Sequence, residues 1–348
     1  MTGPFRLLLI GDSDSQLLAC EALCRFPSEL NVQVTINAIP RDGTPDTILK
    51  RAAALGELWR LEMGQLLTHP ELHDFDAIGV YLTGSKISDF RQALGLLPSR
   101  ERPLLFCGFN GVVLEKFMEG MSWRLGYDLI CLSGPRDREA LERMLESSPF
   151  SGQRTVLTGL HRQTSSDQSQ LSQEQRRKQL VFAEQVVMPS SPADRAEMVR
   201  ILSDLARRSP DWEVLIKPRI APGETTFHST TEHISTTLQL ALGHPPENLR
   251  LDYRPLPDLL GQARLMATVS STAFFDALDV GCRPLVMADF GINPANGSHV
   301  FAGSGVWRCL DQVEDLDALD RSLPSPDPDW LAWMGYGTNL DPVELIEA

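Results

Sequence analysis

Short apolar runs that end in Gly, Ser, Thr or Asp alternate along this chain with longer stretches of helical spacing, and the alternation occurs twice. In the first round, residues 6–10 (RLLLI), 32–39, 76–82, 103–107, 128–132 and 155–158 read as strands. Helices are predicted over 16–26, 46–67, 87–97 and 136–145. In the second round the strands are 180–183, 213–216, 248–252, 265–269, 284–287 and 306–309, with helices over 193–208 and 256–262. Strands that alternate with helices must be parallel, because each helix carries the chain back to start the next strand in the same direction. The predicted fold class is therefore α/β, with two Rossmann-like domains, and ligands belong at the carboxyl ends of the strands. Between the rounds, residues 161–179 are polar, rich in Ser and Gln and without apolar periodicity. They read as a linker between an N-terminal domain over 1–160 and a C-terminal domain over 180–348.

Composition narrows the function classes. The chain has 348 residues, enough for two domains, and its 42% hydrophobic content gives each a core. A net charge of −14 argues against a nucleic-acid partner, which needs a basic surface to displace counterions. No apolar run reaches the roughly 20 residues that span a bilayer, and residues 5–10 are too short for a signal peptide. The expected location is cytoplasmic, with the scattered Cys20, Cys24, Cys107, Cys131, Cys282 and Cys309 as reduced thiols. Arg176-Arg177-Lys178 reads as a solvated helix end, with a peripheral membrane contact as the alternative.

Five stretches carry chemistry. After strand 265–269 come Ser270-Ser271-Thr272, then Phe274, Phe275, Ala277 and Leu278 at helical spacing. Hydroxyls at a helix start form an anion site or ordinary N-caps. Asp276, one turn in, bonds ribose hydroxyls or complements the helix dipole. Strand 213–216 leads into Lys217-Pro218-Arg219, two cations suited to phosphate, with His228 further along the loop as a ligand contact or a loop cap. Strand 180–183 ends in Glu184-Gln185, and Gln185 is placed to meet a ligand. Asp12 and Asp14 follow the first strand, and either could serve as a general base, a metal-binding D-x-D or a helix cap. Gly303-Ser304-Gly305 reads as a close backbone approach to a ligand, through Ser304, or as a plain turn. The chain contains no G-x-G-x-x-G, Walker A or H-E-x-x-H motif, so dinucleotide, ATP and zinc readings lack support.

In this order, Asp12-Ser13-Asp14-Ser15, Gln185 with Pro189, Lys217-Pro218-Arg219 with His228, Val269-Ser270-Ser271-Thr272-Ala273, Phe290-Gly291 and Gly303-Ser304-Gly305 resemble a bacterial glycosyltransferase family. The resemblance implies a GT-B fold, two Rossmann-like domains facing across a cleft. It also implies a nucleotide-sugar donor bound mainly by the second half, and neither a cofactor nor a required metal. More distantly, the second half is similar to polysialyltransferases and capsule Kdo-transferases, which use CMP-sugars and carry His-Pro where Lys217-Pro218 stands here. CMP-sugar is the donor this favours, with Lys217 the departure that bears on it. The expected partners are the donor and a glycan or lipid-linked acceptor; the oligomeric state is open. A nucleotide-sugar 2-epimerase on the same fold, or a non-catalytic member of a glycan-assembly complex, are the alternatives.

Overall fold

The computed structural model describes residues 3–24, 31–41, 44, 46–96, 102–110, 117–160, 171–185, 188–219 and 232–338. The chain divides into two compact units, Met1–His161 with Leu331–Ala348, and Arg162–Trp330. In the first unit lie β1 (Phe5–Gly11), β2 (Val32–Ala38), β3 (Glu57–Trp59), β4 (Ala77–Val80), β5 (Leu104–Cys107), β6 (Leu129–Leu132) and β7 (Thr155–Leu157). They form one sheet in the order β3-β2-β1-β4-β5-β6-β7, every pair parallel. The second unit contains β8 (Arg177–Ala183), β9 (Glu213–Lys217), β10 (Leu249–Leu251), β11 (Ala263–Thr268), β12 (Arg283–Met287) and β13 (Trp307–Arg308). Their order is β10-β9-β8-β11-β12-β13, again all parallel. Both units are Rossmann-like. In each, the chain starts mid-sheet, builds outward, then crosses back to the other side of its first strand. The switch point falls between β1 and β4 in one sheet and between β8 and β11 in the other.

The strands read as nearly continuous apolar runs because both faces of each sheet are covered. In β1, Leu8 and Ile10 join one core cluster while Leu7 and Leu9 join the other. β6 repeats the division, with Ile130 and Leu132 on one side and Leu129 and Cys131 on the other. That is the period-two alternation of a strand with no solvent face. Gly79 in β4 is part of the fit: a Cβ there would stand 2.4 Å from Phe106 and 2.6 Å from Leu9.

Four sequence readings need correction. The helix predicted over 46–67 is two helices, Asp46–Ala53 and Met63–Leu67, with β3 between them. Leu55, Leu58, Trp59 and Leu61 continue a helical spacing, which masked a three-residue edge strand. Gly56 marks the break, since a Cβ there would sit 2.0 Å from the Val34 carbonyl oxygen. Second, β8 begins at Arg177, inside the predicted linker, and Arg176 is buried. Its guanidinium donates to the carbonyls of Leu260 and Ala263, each at 3.0 Å, and to that of Val280. Lys178 pairs with Asp317 at 2.9 Å. Arg176-Arg177-Lys178 is therefore not a solvated helix end: Arg176 is a buried cation beneath the strand, and Arg177 is exposed at the start of β8. Third, the helix Ile234–Leu242 has no counterpart in the sequence reading; its β-branched residues at 234, 236 and 237 weaken the helical signal. Fourth, residues from Leu331 onward belong to the first unit, not to a second domain running to 348. The Leu160 N–H donates to the Gly335 carbonyl (3.0 Å), and the Trp333 indole donates to Glu139 (3.1 Å).

Candidate functional site

At the switch point of the second sheet, three adjacent parallel strands deliver their carboxyl ends side by side. β8 delivers Glu184 and Gln185, β9 delivers Lys217 and Arg219, and β11 delivers Ser270 to Thr272. The Gln185 side chain ties the two sides of the switch together. Its Oε1 accepts from the Ser270 N–H (2.9 Å) and the Thr268 hydroxyl (3.3 Å), and its Nε2 donates to the Ser270 hydroxyl (3.2 Å). Beneath it lies a buried ion pair, Arg195 to Glu184 at 2.8 Å, with both side chains under 5% exposed (4% and 3%). Arg195 also donates to the Gln185 carbonyl (3.0 Å), while the second Glu184 oxygen accepts from the Arg219 N–H (3.2 Å). One carboxylate–guanidinium pair thus fixes the backbone after both β8 and β9. Arg195 is held in place by the start of its own helix, Pro192–Arg208, which the Ser191 hydroxyl caps at the Asp194 N–H (3.0 Å).

The residues predicted to bind a donor meet different fates here. The exposed Arg219 side chain makes no hydrogen bond or ion pair with any described residue, and the Lys217 ammonium donates to the Pro218 carbonyl (2.6 Å). Both lie at the same sheet edge as Thr272, which is exposed. Ser270 is buried and committed to Gln185, and the Ser271 hydroxyl accepts from the Ala273 N–H (3.2 Å). Two of the three hydroxyls therefore stabilise the turn itself. Asp276 is largely enclosed; burial, with the Asp279 charge adding to it, pushes its carboxyl up to about 6. Ser304 does not join this edge as a ligand group. It is fully buried, its hydroxyl accepts from the Val306 N–H (3.4 Å), and Gly303 packs where a Cβ would meet Trp330 at 2.9 Å. Trp330 belongs to an aromatic cluster with Phe274, Phe275 and Phe301, so the missing side chain of Gly303 serves packing against that cluster. His228 lies outside the described residues.

At the switch point of the first sheet, Asp12 follows β1 and is buried, its side chain 3% exposed. Gln16 folds back so that its Oε1 accepts the Asp12 N–H at 2.6 Å. Lys86, from the helix Ser85–Leu96 after β4, places Nζ 2.6 Å from Asp12 Oδ2. Arg41, past the end of β2, stands 3.7 Å from Oδ1. Asp14 is exposed and is the first residue of the helix Asp14–Leu23, where its carboxylate accepts the Ser15 N–H (2.9 Å). The two aspartates of the D-x-D have therefore parted: one is enclosed by cations, the other faces water. Among the described residues no group of three or more His, Cys, Asp or Glu is placed to hold a metal ion. No helix among them is long and apolar enough to cross a membrane.

A family model described as "Putative glycosyltransferase (DUF6716)" matches residues 7–341. The chain belongs to that family. Among solved structures it is similar to a "putative UDP-N-acetylglucosamine 2-epimerase from Listeria monocytogenes", with TM-score 0.62, 15% identity, and 99% of this chain and 95% of that one covered. The UDP-GlcNAc 2-epimerase from Neisseria meningitidis bound to UDP-GlcNAc gives TM-score 0.55 at 12% identity, covering 98% of each chain. A UDP-glucosyltransferase from Polygonum tinctorium gives 0.51 at 11% identity, over 99% of this chain and 92% of that one. At these identities the likeness is one of fold. No curated protein matches the chain.

Sequence reasoning on this glycosyltransferase-family chain passed over Arg195, Lys86, Arg41 and Gln16. Arg195 and Gln16 sit one turn into helices that follow strands, a usable but common pattern. Lys86 follows Thr83-Gly84-Ser85 at a strand end, yet its meaning depends on β4 lying next to β1, and strand order is not written locally.

Proposed function

We propose that this chain transfers a sugar from a nucleotide-activated donor, held at the β8/β9/β11 edge of the second unit, to a hydroxyl of a glycan or lipid-linked acceptor at the first. The observation that carries the reading is the Gln185 side chain. It locks the turn after β8 to the turn after β11 and leaves Arg219 and Lys217 on the next strand, at the sheet edge where nucleotides bind in open α/β folds. Cations there offset charge that develops on the leaving phosphate. Ionised above about pH 6, Asp276 accepts from ribose hydroxyls. Asp14, exposed and on the first unit, is the better placed of the two aspartates to take a proton from an acceptor. Asp12 already serves Lys86 and Arg41. The resemblance to capsule transferases favours CMP as the carrier, while the similar solved structures are named for UDP-linked sugars.

The test is a thermal-shift series with CMP, UDP, GDP and TDP. A nucleotide at 100 times its Kd raises stability by about 2.7 kcal/mol. Arg219→Ala removes no hydrogen bond or ion pair to a described residue, so it should leave the unliganded melting point in place and abolish most of the shift. A full shift in this variant places the nucleotide elsewhere. Conversion of the bound nucleotide-sugar without any acceptor identifies an epimerase instead.

A further inference from the structure

One buried guanidinium reaches all three strand ends of the second sheet's switch point. From the first turns of the helix Pro192–Arg208, Arg195 donates through Nη1 to the Gln185 carbonyl (3.0 Å) and through Nη2 to Glu184 (2.8 Å). It therefore holds the end of β8 directly. Glu184 carries the hold to β9, since its other oxygen accepts from the Arg219 N–H (3.2 Å). The Gln185 side chain carries it to β11, through its bonds to the Ser270 N–H and hydroxyl. Stability is a weak reason for such a pair, because replacing a buried ion pair by apolar groups of similar volume is often neutral or stabilising. At 4% exposure the Arg195 side chain also lies too deep to meet a ligand. What it supplies is geometry: a planar fork that keeps two acceptors at a fixed spacing.

We infer that Arg195 is a positioning residue for this edge. It sets the spacing between the Gln185–Ser270 lock and the Arg219 backbone, and so where the Arg219 side chain stands against a phosphate. That these groups hold a nucleotide rests on the transferase reading; that Arg195 sets their spacing does not.

The experiment compares the full chain with Arg195→Met/Glu184→Met, which removes both buried charges together and should stay folded with a melting point close to wild type. Amide hydrogen exchange is read first, without nucleotide. The Ser270 N–H, whose own partner Gln185 is not substituted, should exchange at least about tenfold faster in the variant. Affinity is read next, by calorimetric titration of whichever of CMP, UDP, GDP and TDP gives the largest thermal shift, in both chains, each with and without Arg219→Ala. The variant should bind about tenfold more weakly when Arg219 is present and lose clearly less when it is absent, because the side chain being positioned is then gone. A pair that only stabilises the fold would move the melting point and give the same loss of affinity, or none, in both backgrounds. That result, or wild-type Ser270 exchange in the folded variant, overturns the inference. Should the double variant fail to fold, Arg195→Lys carries both readouts, keeping the charge and giving up the fork. Faster Ser270 exchange in a protein that binds no nucleotide keeps the positioning role and removes the transferase reading. A nucleotide-induced shift with wild-type Ser270 exchange in the variant does the reverse.

Discussion

Asp276 shows most directly how burial sets the behaviour of single residues here. Its native carboxyl keeps a proton up to about pH 6, because enclosure disfavours the charge and Asp279 repels it. In the unfolded chain the same group ionises near ~3.9. Between those values the folded state binds more protons than the unfolded one, so stability falls as pH rises from about 4 to about 6 and stays lower above. Asp276→Asn should therefore stabilise the chain at neutral pH by about 1–3 kcal/mol and have little effect at pH ~3.5. Urea unfolding at the two pH values measures this, and equal stability of wild type and variant at neutral pH would show the charge to be already compensated. The thiols follow the same rule: burial pushes Cys282 and Cys131 up to about 12, as it raises Cys20, which makes them inert core groups rather than nucleophiles. The Glu184–Arg195 pair is the opposite case, a buried charge tolerated because each ion faces the other and each also bonds a backbone group, Arg195 the Gln185 carbonyl and Glu184 the Arg219 N–H.

Among the elements, the segment after the helix Pro328–Trp333 depends on glycine for close backbone contact. Gly335 has a φ of +90°, and a Cβ there would stand 1.9 Å from the Ser133 carbonyl oxygen. A Cβ on Gly134 would in turn lie 2.4 Å from the Gly335 nitrogen. Gly335→Ala should cost on the order of 2–4 kcal/mol, from left-handed strain and displaced backbone together. Gly64 is the control, an exposed helical glycine with nothing within 4 Å of its Cβ position. Gly64→Ala should be neutral or stabilise by about 0.5–1 kcal/mol. Chemical denaturation of both variants checks the contrast in sign. The reading of 46–67 as one helix failed at this scale too. Apolar spacing is blind to a glycine that approaches a neighbouring strand, and β3 has only three residues with which to announce itself.

For the whole molecule, each unit has its own sheet with its own switch point, and the candidate donor and acceptor chemistry fall on different sheets. Nucleotide binding should therefore raise hydrogen-exchange protection at the carboxyl ends of β8, β9 and β11, around Gln185, Arg219 and Ser270, and leave β1–β7 close to their unliganded rates. Protection rising mainly in β1–β7 would assign the nucleotide to the first unit. The two parallel sheets, and Lys217, Arg219, Gln185 and Ser270 at strand ends, were legible because a strand, its following turn and the next helix are contiguous in sequence. Ser304 and Arg176 were misread because a Gly-Ser-Gly turn and a basic triplet look alike whether they face water or the core.

By itself, the amino-acid sequence determined the α/β class, the positions of most strands and the residue types that arrive at their carboxyl ends. Those properties follow from local periodicity and from the residues that stop each strand. Only tertiary structure decided which strand ends are neighbours, and so which charges meet. Gln185 finds Ser270 85 residues away, and Asp12 is enclosed by a lysine 74 residues away. Such pairings are set by sheet order and by the cost of leaving a buried polar group without a partner, and neither is carried by any one stretch of the chain.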